Sequence, residues 1–333
     1  MSTFRPLLSA AALLLATVAA RAMEVRTLKI TLLSTMLADK SELGEWGFSA
    51  LVEADGHRIL FDTGLHPDLV LQNVRSLKID LTTVPVVILS HNHQDHTGGL
   101  LALRRSVLPA HPEALATAHV ATGIFYPRPM MRESTASGPA RPPIPVPNVD
   151  ENTMRLTGPA YEHTGGKFVT HDRPMELYPG VWLTGPIPRV HPERNWSGDS
   201  WVATPAGVVE DNIPEDMSLI IQTPRGNVVL TGCGHAGIVN ICEYSRRFLP
   251  PARLYALIGG IHLFAASDDT IKWTVDQLKP MGVDNFLAAH CTGIETLYTM
   301  RRLLGLDRAH AVVGAVGASF QLDHGIDPGV IAQ

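Results

Sequence analysis

The stretch VVILSHNHQDHTGGL, residues 86–100, places three histidines and one aspartate within six residues, directly after a run of apolar β-forming residues. His91 and His93 alternate along an extended segment, so both imidazoles point the same way and can hold one metal ion. The chain then turns through Asp95 and His96, which can face a second ion beside the first. Such a ligand set suits divalent zinc, with manganese and iron as alternatives. The stretch therefore predicts a two-metal site at the end of a strand.

The composition is that of an ordinary globular protein. The chain has 333 residues, of which 45% are hydrophobic, and its formal net charge is −5. This length accommodates one large α/β domain or two small ones. The negative charge and the lack of a Lys/Arg-rich run argue against binding to nucleic acid or to anionic lipid. We therefore expect a small-molecule substrate, and the sequence makes no prediction of the oligomeric state.

The N-terminal segment resembles a secretory signal peptide. Arg5 precedes an apolar stretch at residues 7–20, and Ala20-Arg21-Ala22 follows as an A-x-A cleavage pattern. A short membrane anchor is the alternative, but a spanning helix needs about 20 apolar residues and this run is shorter. We predict cleavage after residue 22, a single mature domain at residues 23–333, and export to the periplasm or the medium without stable membrane insertion.

The cysteines do not predict a disulfide framework, because the chain has three of them. Cys233 and Cys291 fall inside motifs that also contain histidines, so a site role or simple burial is expected for both. Cys242 is predicted to be a small core residue.

The hydrophobic pattern predicts two sheets with flanking helices. In the first half, residues 26–35, 48–56, 57–64 and 84–90 are typical of strands and residues 66–77 of a helix, with Asp55-Gly56 as a hairpin turn. In the second half, strands are predicted at residues 180–189, 217–233, 253–263, 283–290 and 309–315. Helices are predicted at residues 237–249, 268–281 and 294–305.

A proline-rich segment at residues 126–150 interrupts this pattern. Proline lacks a backbone donor and fixes φ, which excludes a packed helix or a central strand. We predict an inserted loop that acts as a lid, because Phe125, Met130 and Met131 offer adaptable apolar contacts to a ligand. A solvated linker between the two halves is the alternative.

SHNHQDHTGG resembles the metallo-β-lactamase superfamily, and the paired-strand opening and ILFDTG are similar to the same family. The resemblance implies an αββα sandwich in the α/β (α+β) class, with two metal ions at the sheet edges. LTGCGHAGIVN, LIGGIHL, AAHCTG and GVWLTGPIPR resemble one branch, named for 7,8-dihydropterin-6-methyl-4-(β-D-ribofuranosyl)aminobenzene-5'-phosphate synthase. This likeness covers most of the predicted mature chain.

The resemblance assigns roles to individual residues. It implies that His91 and His93 bind the first metal, while Asp95 and His96 face the second. His290, at the end of NFLAAH, matches the family's last metal histidine and is assigned to the second ion.

The chain departs from the family at two positions. Most relatives supply a third histidine to the first metal before a strand pair, where PEDMSLII offers Glu215 and Asp216. They also supply a bridging aspartate in a TGD segment, where LTGCGH offers Cys233. We expect His235 to be a ligand. For Cys233 the alternatives are a thiolate ligand or no metal contact, and Asp216 is a candidate to complete the shell of the first ion.

Two further residues are predicted to support the site. Asp62 is expected to accept a hydrogen bond from a ligand histidine and fix its tautomer. His262 is expected either to line the pocket or to be a buried, backbone-bonded histidine. His163, His171 and His191 lie in loop sequence and are predicted to be surface residues.

Hydrolysis is the predicted reaction class, because a metal pair activates water at neutral pH without a protein nucleophile. Asp95 is expected to orient or deprotonate that water. A phosphate ester or phosphodiester is the expected substrate, with lactone and β-lactam hydrolysis as alternatives. A non-catalytic metal- or ligand-binding protein is the alternative from another class, because the TGD aspartate is missing.

Overall fold

The first half of the chain is built mainly of strands. A computed structural model describes residues 23–132, 144–196, 198 and 200–333. The predicted signal peptide therefore lies outside the described residues. Up to the middle of the chain the elements are β1 (Leu28–Ser34), β2 (Leu37–Ala38), β3 (Ser49–Ala54), β4 (His57–Phe61), α1 (Leu69–Ser76), β5 (Val86–Ile88), α2 (Gln94–Thr97), α3 (Leu100–Val107), β6 (Thr117–Ala121), β7 (Pro129–Arg132), β8 (Ile144–Asp150) and α4 (Met154–Glu162).

The second half contains more strands and the two longest helices. Its elements are β9 (Lys167–His171), β10 (Met175–Tyr178), β11 (Val181–Leu183), β12 (Trp201–Thr204), β13 (Gly207–Glu210), β14 (Leu219–Thr223), β15 (Gly226–Thr231), α5 (Ile238–Ser245), β16 (Leu254–Gly259), α6 (Asp268–Leu278), β17 (Asn285–Ala288), α7 (Ile294–Leu304), β18 (Ala311–Val313), β19 (Ala315–Val316), β20 (Ser319–Gln321) and β21 (Gly325–Asp327). Short 3₁₀ turns at Lys279–Met281 and His290–Thr292 follow α6 and β17.

The strands form two large sheets. One sheet has the order β21-β20-β1-β3-β4-β5-β6-β9, and the other has the order β10-β11-β14-β15-β16-β17-β18. In the first sheet β4, β5, β6 and β9 are parallel neighbours, and in the second sheet β15 to β18 are parallel neighbours. Parallel neighbours end at the same edge, so each sheet presents a row of strand ends that can build a site.

Three apolar layers hold the sheets and helices together. Ile30, Phe61 and Ile258 belong to the fully buried core between the sheets. A second core lies between the second sheet and α5 to α7, and a third lies between the first sheet and its helices. Helices thus cover both outer faces of a pair of sheets. This is the αββα sandwich that the resemblance implies, and the fold prediction is confirmed.

Local sequence features explain where several elements begin and end. Ser267 caps α6 by accepting a hydrogen bond from Thr270 N at 3.2 Å, and Gly305 ends α7 in the left-handed conformation. Within the described residues, no helix has both the length and the apolar character that crossing a bilayer requires.

The proline-rich segment contains more regular structure than its composition predicts. Its two arms, β7 and β8, pair as an antiparallel ribbon outside the two large sheets. Proline is tolerated in such a ribbon because each strand has an unpaired edge. Phe125 packs edge-on against Phe168, with 5.0 Å between the ring centroids. It therefore stabilises the fold and is not the free apolar contact to a ligand that the sequence predicts. Met130 is exposed, and the prediction of a lid stays a prediction.

Candidate metal centre

The candidate site lies where strands of both sheets end. Asp62 follows β4 in the first sheet. The residues His91, His93, Asp95 and His96, called the His91 cluster below, follow β5. In the second sheet, Cys233 and His235 follow β15, His262 follows β16, and His290 follows β17. The sequence signal at residues 86–100 thus supplies half of the site, and the opposite sheet supplies the other half.

Two glycines let the histidine cluster pack closely against the first sheet. A Cβ on Gly98 would lie 1.9 Å from Leu65 O, and one on Gly99 would lie 2.2 Å from Thr63 O. Both distances are far below van der Waals contact. The glycines of the TGG sequence therefore allow the backbone of this segment to approach residues 63–65 closely.

The structure brings His91, His93 and His235 together as the first ligand group. Their candidate ligand atoms lie within 4.8 Å of one another. Burial lowers the pKa of His93 to about 4 and that of His91 and His235 well below the usual value, because a charged imidazole is poorly solvated there. All three are therefore neutral at pH 7, which is the form that binds a metal.

The second ligand group consists of Asp95, His96, Cys233 and His290, also within 4.8 Å of one another. Cys233 Sγ lies 3.1 Å from His96 Nε2, and Asp95 Oδ2 lies 3.2 Å from His290 Nε2. Cys233 thus contributes a thiol to the second group at the position where most relatives have the TGD aspartate.

The hydrogen bonds of His91 and His235 leave their Nε2 atoms free to bind a metal. His235 Nδ1 donates to the carbonyl oxygen of Asn195. Ser90 Oγ donates to Asp62 Oδ2 and accepts from His91 Nδ1 at 2.9 Å. Among the described residues, the buried Nε2 atoms of His91 and His235 have no hydrogen-bond partner. Since an unpaired buried nitrogen costs free energy, the arrangement fits a metal ion as the missing partner.

Asp62 makes the contacts expected of a supporting carboxylate. Its Oδ2 accepts a hydrogen bond from His96 Nδ1 at 2.7 Å, and its Oδ1 accepts one from Ser90 N at 2.7 Å. It therefore orients two candidate ligands, His96 directly and His91 through Ser90. Asp62 has a left-handed backbone with φ of 55°, as do His262 at 49° and His290 at 47°. Such strained conformations persist where the surrounding fold enforces them, often at functional sites.

The charges around Asp95 favour its ionised form. Burial by itself raises the pKa of Asp95, but the neighbouring His96 and His290 outweigh this effect and hold the pKa below its usual range. Burial likewise lowers the pKa of His96, but Asp95 and Asp62 outweigh it and raise the pKa to about 9. Without a metal His96 is therefore protonated at pH 7, so metal binding at this group must release a proton.

A third group was not predicted as a unit. Cys233, His262 and Cys291 have candidate ligand atoms within 4.8 Å of one another. Cys291 directly follows His290 at a strand end, and this adjacency is the sequence signal for the site role that is one of its two expected roles. All three cysteines are free, and Cys242 is the buried core residue that the sequence predicts.

Asp216 lies outside these groups. Its Oδ2 accepts a hydrogen bond from Ala236 N at 2.8 Å, so it holds the loop that carries His235. Glu215 binds Arg128 instead. His171 corrects a prediction: it is buried at the end of β9, and its Nε2 shares a hydrogen bond with His119 Nδ1 at 2.9 Å. His119, on the neighbouring strand β6, helps to bury His171. Local sequence does not reveal this contact.

A cavity of about 500 Å³ opens beside the groups. His262 and Asn195 connect its wall to the candidate metal centre. The remaining wall combines aromatic, charged and small side chains, among them Glu193, Arg194, Trp196, Phe264 and Trp273. The cavity thus joins an aromatic and partly charged surface to the ligand groups.

The fold, the two ligand groups and the sequence comparisons agree on the class of protein. The model of the metallo-β-lactamase superfamily matches residues 47–180. The 7,8-dihydropterin-6-methyl-4-(β-D-ribofuranosyl)-aminobenzene-5'-phosphate synthase of Methanocaldococcus jannaschii is 30% identical over 274 residues, covering 80% of this chain and 87% of that protein. The chain therefore belongs to the metallo-β-lactamase superfamily.

Solved structures show the same relationship. The crystal structure of a metal-dependent hydrolase of the β-lactamase superfamily is 26% identical, with a TM-score of 0.63, and covers 83% of this chain and 93% of that chain. The metallo-β-lactamase fold protein YhfI from Bacillus subtilis has a TM-score of 0.53 at 14% identity, covering 89% of this chain and 99% of that chain, and shares the fold. Proteins of this superfamily are generally enzymes and usually bind divalent metals.

Proposed function

We propose that the protein is a binuclear metallo-hydrolase that cleaves a phosphate ester or phosphodiester of a small molecule. The observation that carries the proposal is the pair of adjacent ligand groups with unpartnered imidazole nitrogens, next to a cavity large enough for a small molecule. His91, His93 and His235 would hold the first ion, and Asp95, His96, Cys233 and His290 the second. Zinc suits these ligands, with manganese and iron as alternatives.

Different residues of the chain have different roles in the proposed reaction. When bound, divalent ions supply Lewis-acid activation of a water molecule and of the attacked phosphoryl oxygen. Asp95 orients or deprotonates the attacking water, because its carboxylate is ionised and 16% of its side chain is exposed. Asp62 keeps His96 in the orientation that the site requires. The cavity wall holds the rest of the substrate and excludes water from it.

Two observations support a phosphate-bearing substrate. Arg194 places a guanidinium group on the cavity wall, beside Trp196 at 4.9 Å from the ring centroid, where it also forms an ion pair with Glu210. The archaeal synthase that is 30% identical carries a 5'-phosphate in its name. That protein is named a synthase, so the hydrolytic reaction proposed for this chain rests on the ligand groups.

We predict a chelator-sensitive phosphodiesterase activity. Zinc-loaded protein should hydrolyse bis(p-nitrophenyl) phosphate, lose this activity on dialysis against a chelator, and regain it with zinc, manganese or iron, since the ions provide the activated water. The measurement is p-nitrophenolate release, together with metal content by elemental mass spectrometry.

The control for this prediction is Cys242→Ser, which alters a buried cysteine outside the ligand groups. Activity on a β-lactam or lactone reporter without phosphodiesterase activity would overturn the proposed substrate. Two bound ions with no turnover of any reporter would instead favour a ligand-binding protein.

We further propose that the protein is exported and acts in the periplasm or the medium. The support is the order of charge, apolar stretch and A-x-A motif in residues 1–22. Expression of the full chain in a Gram-negative host should yield a periplasmic protein whose N-terminus is Met23, as measured by intact mass. An Ala20→Arg, Ala22→Arg variant should remain unprocessed. An intact Met1 on the wild-type protein would contradict the proposal.

A further inference from the structure

We infer that Cys233, His262 and Cys291 form an additional metal position, suited to a thiophilic ion such as zinc, which shares the Cys233 thiol with the second ligand group. The three candidate ligand atoms lie within 4.8 Å of one another. Two sulfurs and one imidazole nitrogen are a ligand combination that zinc prefers. The inference rests on the two ligand groups of the proposed function for its expected number of ions, but not on the proposed reaction.

The topology of the second sheet creates this group. The strands β15, β16 and β17 are consecutive parallel neighbours, in which Thr231 pairs with Gly259 and Gly259 pairs with Ala288. Cys233, His262 and Cys291 follow these paired residues by two or three positions. Three adjacent strand ends thus each deliver one ligand to the same edge.

The spacing of the sulfurs is closer to that of a metal site than to that of a disulfide. Cys291 Sγ lies 3.3 Å from Cys233 Sγ. Two thiolates on one tetrahedral zinc are about 3.8 Å apart, since each zinc–sulfur bond is about 2.3 Å long. The sulfurs of a disulfide are about 2.05 Å apart. To bind one zinc ion, the two sulfurs would have to move apart by about 0.5 Å. To form a disulfide, they would have to move closer by more than about 1 Å.

The space for the Cys291 thiol depends on a glycine. A Cβ on Gly260 would lie 2.8 Å from Cys291 Sγ and 2.3 Å from Gly232 O. The strand end that carries His262 therefore has no side chain where the thiol of the neighbouring strand lies.

His262 supplies the third ligand and the route of entry. Its buried Nδ1 has no hydrogen-bond partner within the described part of the chain. The residue also lines the cavity of about 500 Å³. An ion can thus reach the group from the cavity. Of the two roles that the sequence suggests for His262, the structure places it in the pocket lining and not as a backbone-bonded histidine.

Cys233 links this position to the second ligand group. Its Sγ lies 3.1 Å from His96 Nε2 and 3.3 Å from Cys291 Sγ. A thiolate can bridge two metals. The replacement of the family's aspartate by cysteine therefore connects the second ligand group to a neighbouring metal position whose ligands are softer.

Metal content and cobalt absorption test the inference. Reduced, full-length mature protein is loaded with zinc and desalted, or titrated with cobalt in the absence of oxygen. We expect about three zinc ions per wild-type chain and about two in Cys291→Ser and in His262→Gln. The near-ultraviolet absorption from thiolate to cobalt should fall by more than half in Cys291→Ser. The matched control Cys242→Ser should behave as the wild type.

Three results would overturn the inference. They are about two ions per chain in the wild type, unchanged metal content and cobalt absorption in Cys291→Ser, or a Cys233–Cys291 disulfide in protein isolated with reductant. If Cys291→Ser fails to fold by near-ultraviolet circular dichroism, His262→Gln decides, because that side chain is only partly buried. Phosphodiesterase activity is not a readout here, so its absence would count only against the proposed function.

Discussion

Replacing Asp95 with asparagine is expected to lower kcat for bis(p-nitrophenyl) phosphate by about 10²–10⁴-fold, the usual range for loss of a general base. Asparagine keeps the size of the side chain but has neither the negative charge nor the basicity of the carboxylate. That charge faces two histidines, His290 Nε2 at 3.2 Å and His96 Nε2 at 3.7 Å. The measurement is steady-state kinetics at saturating metal, with the number of bound ions determined on the same sample.

The control for Asp95→Asn is Asp172→Asn, whose carboxylate is 77% exposed and lies away from the ligand groups. It should leave kcat unchanged. If Asp95→Asn keeps both ions and loses activity, the residue acts on the water; if it also loses an ion, the residue is in addition a ligand. Wild-type turnover by Asp95→Asn would show that neither role is correct.

The arrangement of the sheets could be predicted because each half of the chain has clear periodicity. The pattern at residues 217–233 predicts strand structure, and the structure has the two strands β14 and β15 there. The helices α2 to α4 and the strands β2, β6 to β10, β12, β13, β20 and β21 were not predicted. Their sequences are short and partly polar, and the surrounding fold, more than local preference, decides their conformation.

The site could be predicted only in part, for a physical reason. The His91 cluster is continuous in sequence, so its spacing is visible. The contacts that decide the remaining ligands join positions far apart in the chain, such as His235 with Asn195 and Cys233 with Cys291. Without the two sheets, no local pattern shows that Cys291 reaches Cys233 or that Asp216 holds the His235 loop.

The buried side chain of Arg128 also makes contacts with residues that are distant in the sequence. The side chain of Arg128 is 4% exposed, and its Nη2 donates to both carboxylate oxygens of Glu215 at 2.8 and 2.7 Å. Its Nε donates to Asp211 at 2.9 Å. Glu215 Oε1 in turn accepts a hydrogen bond from Asn92 N at 3.2 Å, between His91 and His93. Arg128 thus joins the base of the proline-rich ribbon to the backbone of the first ligand group.

We predict that Arg128→Met lowers the free energy of unfolding by about 3–5 kcal/mol, because it leaves two buried carboxylates without their cation. The measurement is chemical denaturation at pH 8. Arg128→Met/Glu215→Gln should be less destabilised than the sum of the single variants, since the pair is then removed together. The control Arg246→Met removes an exposed ion pair with Glu243 and should cost no more than about 1 kcal/mol.

The pH dependence separates this electrostatic cause from a loss of packing. Burial raises the pKa of Glu215 to about 7, with Asp211 adding to the rise and Arg128 opposing it. A raised carboxyl pKa means that the folded state takes up a proton below pH 7, so stability falls as the pH rises from the unfolded pKa of about 4.3 to the folded one. Without Arg128 the pKa of Glu215 in the folded state rises further, so the free energy of unfolding continues to fall as the pH rises above 7. The difference in unfolding free energy between wild type and Arg128→Met should therefore widen from pH 5 to pH 8. An equal difference at both pH values would mean that Arg128 stabilises the fold through the packing of its side chain and not through its charge.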